Sequence, residues 1–292
     1  MNAASMPRIV LQGRWLTAAL AQQVATLSGA SRLQQRSDTV WTCEALAAAP
    51  GPATCSRIRT LADAVQVDAN WIAAPRQLTS FRLAVMDMDS TLITIECIDE
   101  IADMLGLKPQ VAAITEAAMR GEIAYPESLR RRVALLKGLD VSALHRVYNE
   151  RLQLSPGALE LLAAFRAAGL KTLLVSGGFT FFTEKIKARL GLDFTHSNVL
   201  GIDGNADCGK LTGAVSGNIV DAEEKARMLA EICMRIGCTP TDAIAIGDGA
   251  NDLNMMAVAG LSVAYRAKPV VRTQAMTAIS HNGLDAALSF FD

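Results

Sequence analysis

The stretch LAVMDMDST, Leu83–Thr91, brings two carboxylates and two hydroxyls to the end of a short apolar run. Side-chain alternation along a strand places Asp87 and Asp89 on one side and Met88 on the other. Carboxylates this close repel unless a cation lies between them or one keeps a proton. A strand that ends this way points chemistry at the crevice beyond it. Ser176-Gly177-Gly178 offers a hydroxyl and backbone N–H groups that no Cβ screens, just before a helix, which favours phosphate. Gly247-Asp248-Gly249-Ala250-Asn251-Asp252 sets two acids and an amide among glycines. Mg²⁺ takes such hard oxygens together with phosphate and water. Alone, each stretch is a common capping or turn pattern. Together they argue for chemistry.

The elements that position these residues follow from periodicity. Leu83–Met86, Lys171–Val175, Ala243–Ile246 and Leu261–Tyr265 are apolar runs of the length and character of strands buried on both faces. The first three end in the motifs above, and open α/β sheets bind ligands beyond the carboxyl ends of their strands. Helical spacing marks Gly157–Ala168, Phe181–Leu190 and Ala222–Ile236, the last carrying Lys225 near its start, where a lysine is usually surface charge. Four more helices, from Ile98 through Lys108–Arg120 and Pro126–Lys137 to Val141–Leu152, read as a lid inserted after the first strand. In the third of them Leu129, Val133 and Leu136 form the apolar stripe. Arg132 falls beside that stripe on the edge shared with Tyr125, Arg131 points nearly opposite, and Arg130 takes the other flank. Arg132 is therefore either an arginine snorkelling at a core rim or an anion ligand facing the crevice. Asp193–Gly217 reads as a hairpin or flap, and the C-terminus closes with a helix.

Residues 1–78 read as a separate small domain in the order βαββαβ, the ferredoxin-like arrangement, followed by a linker at Pro75–Ser80. The order of elements resembles the small amino-acid-binding ACT domains, but no catalytic constellation appears there. A packing role, or a homodimer formed through this domain, is the preferred reading. The chain has 292 residues and a formal net charge of -1, so no basic excess exists to hold nucleic acid or an anionic membrane. No apolar run is long enough to span a bilayer, and no signal-peptide core is evident. Six scattered cysteines without C-x-x-C fit reduced thiols in the cytoplasm. His145, His196 and His281 are far apart and read as structural.

In this order, DMDST, SGG, Lys225 and GDGAND resemble the haloacid dehalogenase (HAD) superfamily of phosphohydrolases. Glu96, YPESLRRRV, VSGGF and GDGANDLNM resemble the phosphoserine phosphatases within it, over about residues 80–292. The resemblance implies an α/β, HAD-type doubly wound parallel sheet at 79–95 and 153–292, with a helical lid at 96–152. It implies Mg²⁺-dependent hydrolysis of O-phospho-L-serine through an aspartyl-phosphate, the last step of L-serine biosynthesis. Asp87 would be the nucleophile and Asp89 the general acid and base. Asp87, the Asp89 backbone carbonyl and Asp248 would hold Mg²⁺. Ser176, Gly177, Lys225 and Asn251 would bind phosphate, and Asp252 would orient Lys225 or a metal-bound water. Glu96 would take the ammonium, Arg132 the carboxylate, and Met119 and Tyr125 would line the lid. A receiver-type signalling module fits less well, because here both acids follow one strand. Another phosphatase or phosphotransferase of the superfamily is opposed only by Glu96 and Arg132.

Overall fold

The computed structural model describes residues 6–46, 48–205 and 208–292. The chain begins with β1 (Arg8–Gln12), α1 (Ala18–Ser28), β2 (Ala30–Ser37), β3 (Val40–Leu46), α2 (Pro52–Asp63) and β4 (Asp68–Ile72). The four strands form an antiparallel sheet in the order β2-β3-β1-β4, the expected ferredoxin-like βαββαβ. Ile9 and Leu11 of β1 pack with Val24 of α1 and Ile58 of α2, whereas Val10 turns to the opposite side and joins the main core. Both faces of β1 are therefore covered.

The second sheet starts at β5 (Leu83–Met86), after which the chain leaves through α3 (Cys97–Met104), α4 (Lys108–Met119), α5 (Tyr125–Ala134) and α6 (Ser142–Arg146). It returns as α7 (Ala158–Ala167), β6 (Lys171–Phe179), α8 (Thr180–Leu190), β7 (Phe194–Asp203), β8 (Lys210–Ser216) and α9 (Ala222–Ile236). Next come β9 (Ala243–Gly247), α10 (Leu253–Val258), β10 (Leu261–Tyr265), α11 (Pro269–Gln274) and β11 (Thr277–Ile279). The seven strands run in the order β11-β10-β9-β5-β6-β7-β8. All neighbours are parallel except β7 and β8.

The unbroken apolar runs have a direct cause. In β5, Leu83 and Val85 face one core, with Leu229 and Ile232 of α9. Ala84 and Met86 face the other, with Phe165 of α7 and Ile186 of α8. Helices cover both faces of the sheet, so a central strand has no polar side to present. Leu129 and Val133, with Leu136 just past its end, bury the lid helix α5 in the second of these cores.

The hairpin expected over 193–217 is present: β7 pairs antiparallel with β8, and β7 also pairs with β6, so the hairpin extends the main sheet. Two expectations need correction. The C-terminus closes with a 3₁₀ turn, Leu284–Phe290, and α11 and β11 before it went unread because six and three residues are too few to repeat a pattern. The helix expected over Val141–Leu152 divides at Arg146, where the chain widens into a π turn.

The antiparallel sheet is docked on the far edge of the large one. The Asn70 side-chain amide accepts from Ala278 N (2.7 Å) and donates to its carbonyl (2.9 Å), imitating a backbone bridge to β11. Asp68 accepts from Ser280 N and the Asn282 amide, both at 2.7 Å. Arg8 pairs with Asp292. An open edge strand invites foreign pairing, and here the first sheet covers it. Among the described residues no helix is long and apolar enough to cross a membrane. All six cysteines are free thiols.

Candidate active site

The site lies beyond the carboxyl ends of β5, β6 and β9, roofed by α4 and α5. Asp87 follows β5 directly and its backbone N–H donates to the Ile246 carbonyl at 3.0 Å, so its position is set by the sheet. Asp89 is not on the strand, contrary to the alternation argument. The chain turns after Asp87, Met88 drops into the core, and Ser90 adopts a left-handed conformation at φ 55°. Such a conformation is strained for a residue with a Cβ and persists only where the surroundings enforce it. Here Ser90 donates its hydroxyl to Glu96 at 2.6 Å, and Asp89 Oδ1 accepts from Cys97 N at 3.2 Å. The turn thus aims one acid into the pocket and clamps another. Sequence reasoning gave Ser90 no role, because only its backbone conformation reveals it.

Lys225 is not surface charge. It is fully buried on the first turns of α9, and its Nζ donates to Asp87 Oδ1 at 2.7 Å and Asp252 Oδ1 at 2.8 Å. Burial alone would depress its ammonium, but Asp252 and Asp87 hold it above its usual range. Asp252 Oδ2 accepts from the backbone N–H groups of Asp248 and Gly249 at 3.1 and 3.0 Å. Asp252 is therefore fully engaged in orienting Lys225 and the loop after β9.

Each acid answers to a different neighbour. Burial raises the Asp87 carboxyl well above its usual range, Lys225 opposes the rise, and Asp252 and Asp248 add to it. Burial, then Glu96, pushes Asp89 up to about 7. Burial, then Asp252 and Glu96, pushes Asp248 up to about 6. The expected mutual repulsion of Asp87 and Asp89 is thus not the leading one. Carboxylate oxygens of Asp87, Asp248 and Asp252 lie within 4.8 Å of one another. With Asp252 engaged, the hard oxygens left to a cation are those that Asp87 and Asp248 keep beyond their bonds from Lys225 and Thr91, facing a single buried ammonium. This excess of buried negative charge and all-oxygen donor set fits a hard divalent cation.

Strand β6 runs through the SGG stretch to Phe179, further than its apolar run suggested. The buried Ser176 hydroxyl accepts from Gly178 N at 2.9 Å. A Cβ at Gly177 would stand 2.2 Å from the Tyr125 hydroxyl, and one at Gly178 2.8 Å from Asp89 Oδ2. These glycines let the lid and the second acid approach the strand end. The Tyr125 hydroxyl lies 3.4 Å from the Gly177 carbonyl, and Asn198 donates to the same oxygen at 2.7 Å. The buried Asn198 also accepts from Val220 N, fixing the strand end to the start of the α9 loop. Nothing in the sequence singled it out.

Glu96, Met119, Tyr125, Arg132 and Asn251 line the same cavity of about 860 Å³ as Asp87, Asp89, Ser176, Gly177 and Asp248. Lys225 and Asp252 sit beneath its floor. Arg132 is half-buried and bonded to its own helix through the Ser128 carbonyl, while Arg131 points outward and pairs with Glu127 at 2.7 Å. Lys268, which the sequence reading passed over, lines the cavity too, and its charge opposes the upward push on Glu96 and Asp248. The three histidines lie elsewhere: His196 pairs with Glu224, His281 with Asp63, and His145 meets Phe181 edge to face.

The model of the haloacid dehalogenase-like hydrolases matches residues 84–257, which spans every strand end of the site. The chain belongs to the haloacid dehalogenase-like hydrolase family. This hydrolase is 59% identical to a phosphoserine phosphatase of Polaromonas sp. over 213 residues, 73% of this chain and 90% of that protein. A solved HAD family hydrolase from Salmonella enterica serovar Typhi matches 98% of it, covering 99% of that chain, with a TM-score of 0.88 and 32% identity. A probable phosphoserine phosphatase from Vibrio cholerae, solved unliganded, matches 99% of it and 88% of that chain, with a TM-score of 0.81 and 37% identity.

Proposed function

We propose that this hydrolase is a Mg²⁺-dependent phosphoserine phosphatase, cleaving O-phospho-L-serine to L-serine and phosphate, the closing step of L-serine biosynthesis. The observation that carries the reading is one cavity with two kinds of wall. Its floor holds Asp87, Asp89, Ser176 and Asp248 above Lys225. Its lid side holds Glu96, Tyr125 and Arg132. A phosphate suits the floor, and an ammonium with a carboxylate suits Glu96 and Arg132. The relatives named phosphoserine phosphatase support the same substrate.

Asp87 attacks phosphorus, forming an aspartyl-phosphate as the bond from phosphorus to the serine oxygen breaks. Asp89, its carboxyl pushed up to about 7 so that a large share keeps its proton at neutrality, gives that proton to the leaving oxygen. It then takes a proton from water as the water attacks the phosphoenzyme, releasing phosphate and restoring Asp87. Lys225 and the Ser176 hydroxyl hold the transferring oxygens, where positioning and charge stabilisation supply most of the rate. Asp87 and Asp248, with the Asp89 carbonyl, would hold Mg²⁺, which neutralises phosphate charge when bound. Tyr125 and Met119 exclude water above the substrate.

The test is phosphate release from a panel of small phosphomonoesters, with Mg²⁺ and with excess chelator. Phosphoserine is expected to be the preferred ester, with activity lost on chelation and restored by Mg²⁺. Preference for another ester, or undiminished turnover in chelator, would contradict the assignment.

A further inference from the structure

A second cavity, of about 200 Å³, lies in the seam between the two sheets. Cys55, Ile58 and Arg59 of α2 and Trp71 of β4 form one wall, and Arg272 of α11 with Met276 form the other. Its acids are already engaged. Asp68 accepts from Ser280 N, the Asn282 amide and neighbouring backbone N–H groups. Asp63, just behind, accepts from Arg272 and His281. What remains is cationic. The half-buried Arg59 has no hydrogen-bond or ion-pair partner among the described residues. The Nε of Arg272 is buried without a partner. Guanidinium groups donate and never accept, so the unused capacity of Arg59, which lines the cavity, matches an anion. Ile58, Trp71 and Met276 supply an apolar wall beside it. The volume falls below the roughly 300–1,000 Å³ of drug-sized pockets, so the ligand is small.

The seam also touches the catalytic floor. Arg272 lines the seam cavity, and Val270, less than one turn earlier on α11, lines the active-site cavity. The residue before α11, Lys268, donates its backbone N–H to the Asp248 carbonyl at 3.2 Å. The geometry points to a second binding site here, for a small aliphatic carboxylate, whose occupancy bears on the Asp248 loop through α11. The ligand's carboxylate sits on Arg59, and its short carbon chain packs between Trp71 and Met276. Such a ligand bridges α2 and α11 and strengthens the docking of the first sheet.

The experiment uses the full chain labelled with ¹³C at its methionine methyls, with Met276 assigned through Met276→Leu. Sodium propionate is titrated at constant ionic strength. A saturable shift of the Met276 methyl is expected, with affinity weakened about tenfold or more in Arg59→Ala, where a charge-assisted hydrogen bond is lost. The remaining methionine methyls and basal turnover report that Arg59→Ala is folded. Phosphate release should change with the same saturation in the wild type and not in Arg59→Ala. Absence of a saturable Met276 shift overturns the site, as does equal binding to both proteins. An equal response to methylammonium chloride overturns the anionic class. Saturable binding that leaves turnover unchanged overturns the coupling through α11.

Discussion

Asp87 and Asp89 stand two positions apart and do different work because the chain bends between them. Asp87 is bonded to a buried ammonium, which favours its ionised form against the pull of burial. Among the described residues no cation is bonded to Asp89, and burial, then Glu96, favours its protonated form. Asp87→Asn is expected to reduce turnover by roughly 10⁴–10⁶-fold, the scale seen when a nucleophile is removed. It should also abolish an acid-stable, hydroxylamine-sensitive phosphoenzyme, detectable by trapping labelled phosphate. Near-normal turnover in that variant would exclude the covalent route. Asp89 makes a claim on stability as well. Its folded-state value near 7 lies above its ordinary 3.8, so ionising it opposes folding. At the acid end of that window both states hold the proton and the cost is absent. It grows as pH rises and is complete above about 7. In chelator, Asp89→Asn should therefore be more stable than wild type near pH 8 and not near pH 4. Discounting for water that reaches the pocket, the gain is about 1–2 kcal/mol, measured by denaturant unfolding at both pH values. The acids and SGG were legible as residue types at strand ends. Ser90 and Asn198 were not, because their parts depend on one backbone angle and on a contact across the sheet.

At the scale of elements, the sequence showed most where the physics is local. Strands buried on both faces must be apolar throughout, so β5, β6, β9 and β10 stood out. The lid helices carry their stripe at helical spacing, which separated Arg132 from Arg131. The edge of the sheet was harder to read. Strand β7 is half-buried and alternates weakly, so its pairing with β6 is a tertiary fact. The strand end at Gly177 and the lid helix at Tyr125 meet so closely that neither tolerates added bulk. Gly177→Ala is expected to push Tyr125 off the strand and raise KM for phosphoserine about tenfold, the kinetic equivalent of a modest overpacking cost. Tyr125→Phe removes the atom in the way. The double variant Gly177→Ala with Tyr125→Phe should recover most of the loss, and steady-state kinetics on the four proteins would reveal it. A double variant as impaired as Gly177→Ala alone would show that the strand end itself, not the lid contact, is disturbed.

At the scale of the molecule, the ferredoxin-like sheet, the doubly wound sheet and the lid divide the labour. The first sheet covers an open edge, the second brings three strand ends to one point, and the lid helices line the cavity there. The order βαββαβ was legible from the succession of strand and helix candidates in residues 1–78. The docking of that unit was not, because it rests on Asn70, Asp68 and Arg8 meeting residues more than two hundred positions away. Substrate choice belongs to this scale, since the floor comes from the sheet and Glu96 and Arg132 from the lid side. The most direct test compares kcat/KM for phosphoserine and for p-nitrophenyl phosphate in wild type and Arg132→Ala. Loss of one partner from a buried charge pair costs roughly 2–5 kcal/mol. Phosphoserine should then suffer a loss of about 30-fold to several thousandfold, while p-nitrophenyl phosphate, with no carboxylate, changes little. Equal losses on both esters would contradict recognition of the amino acid by the lid.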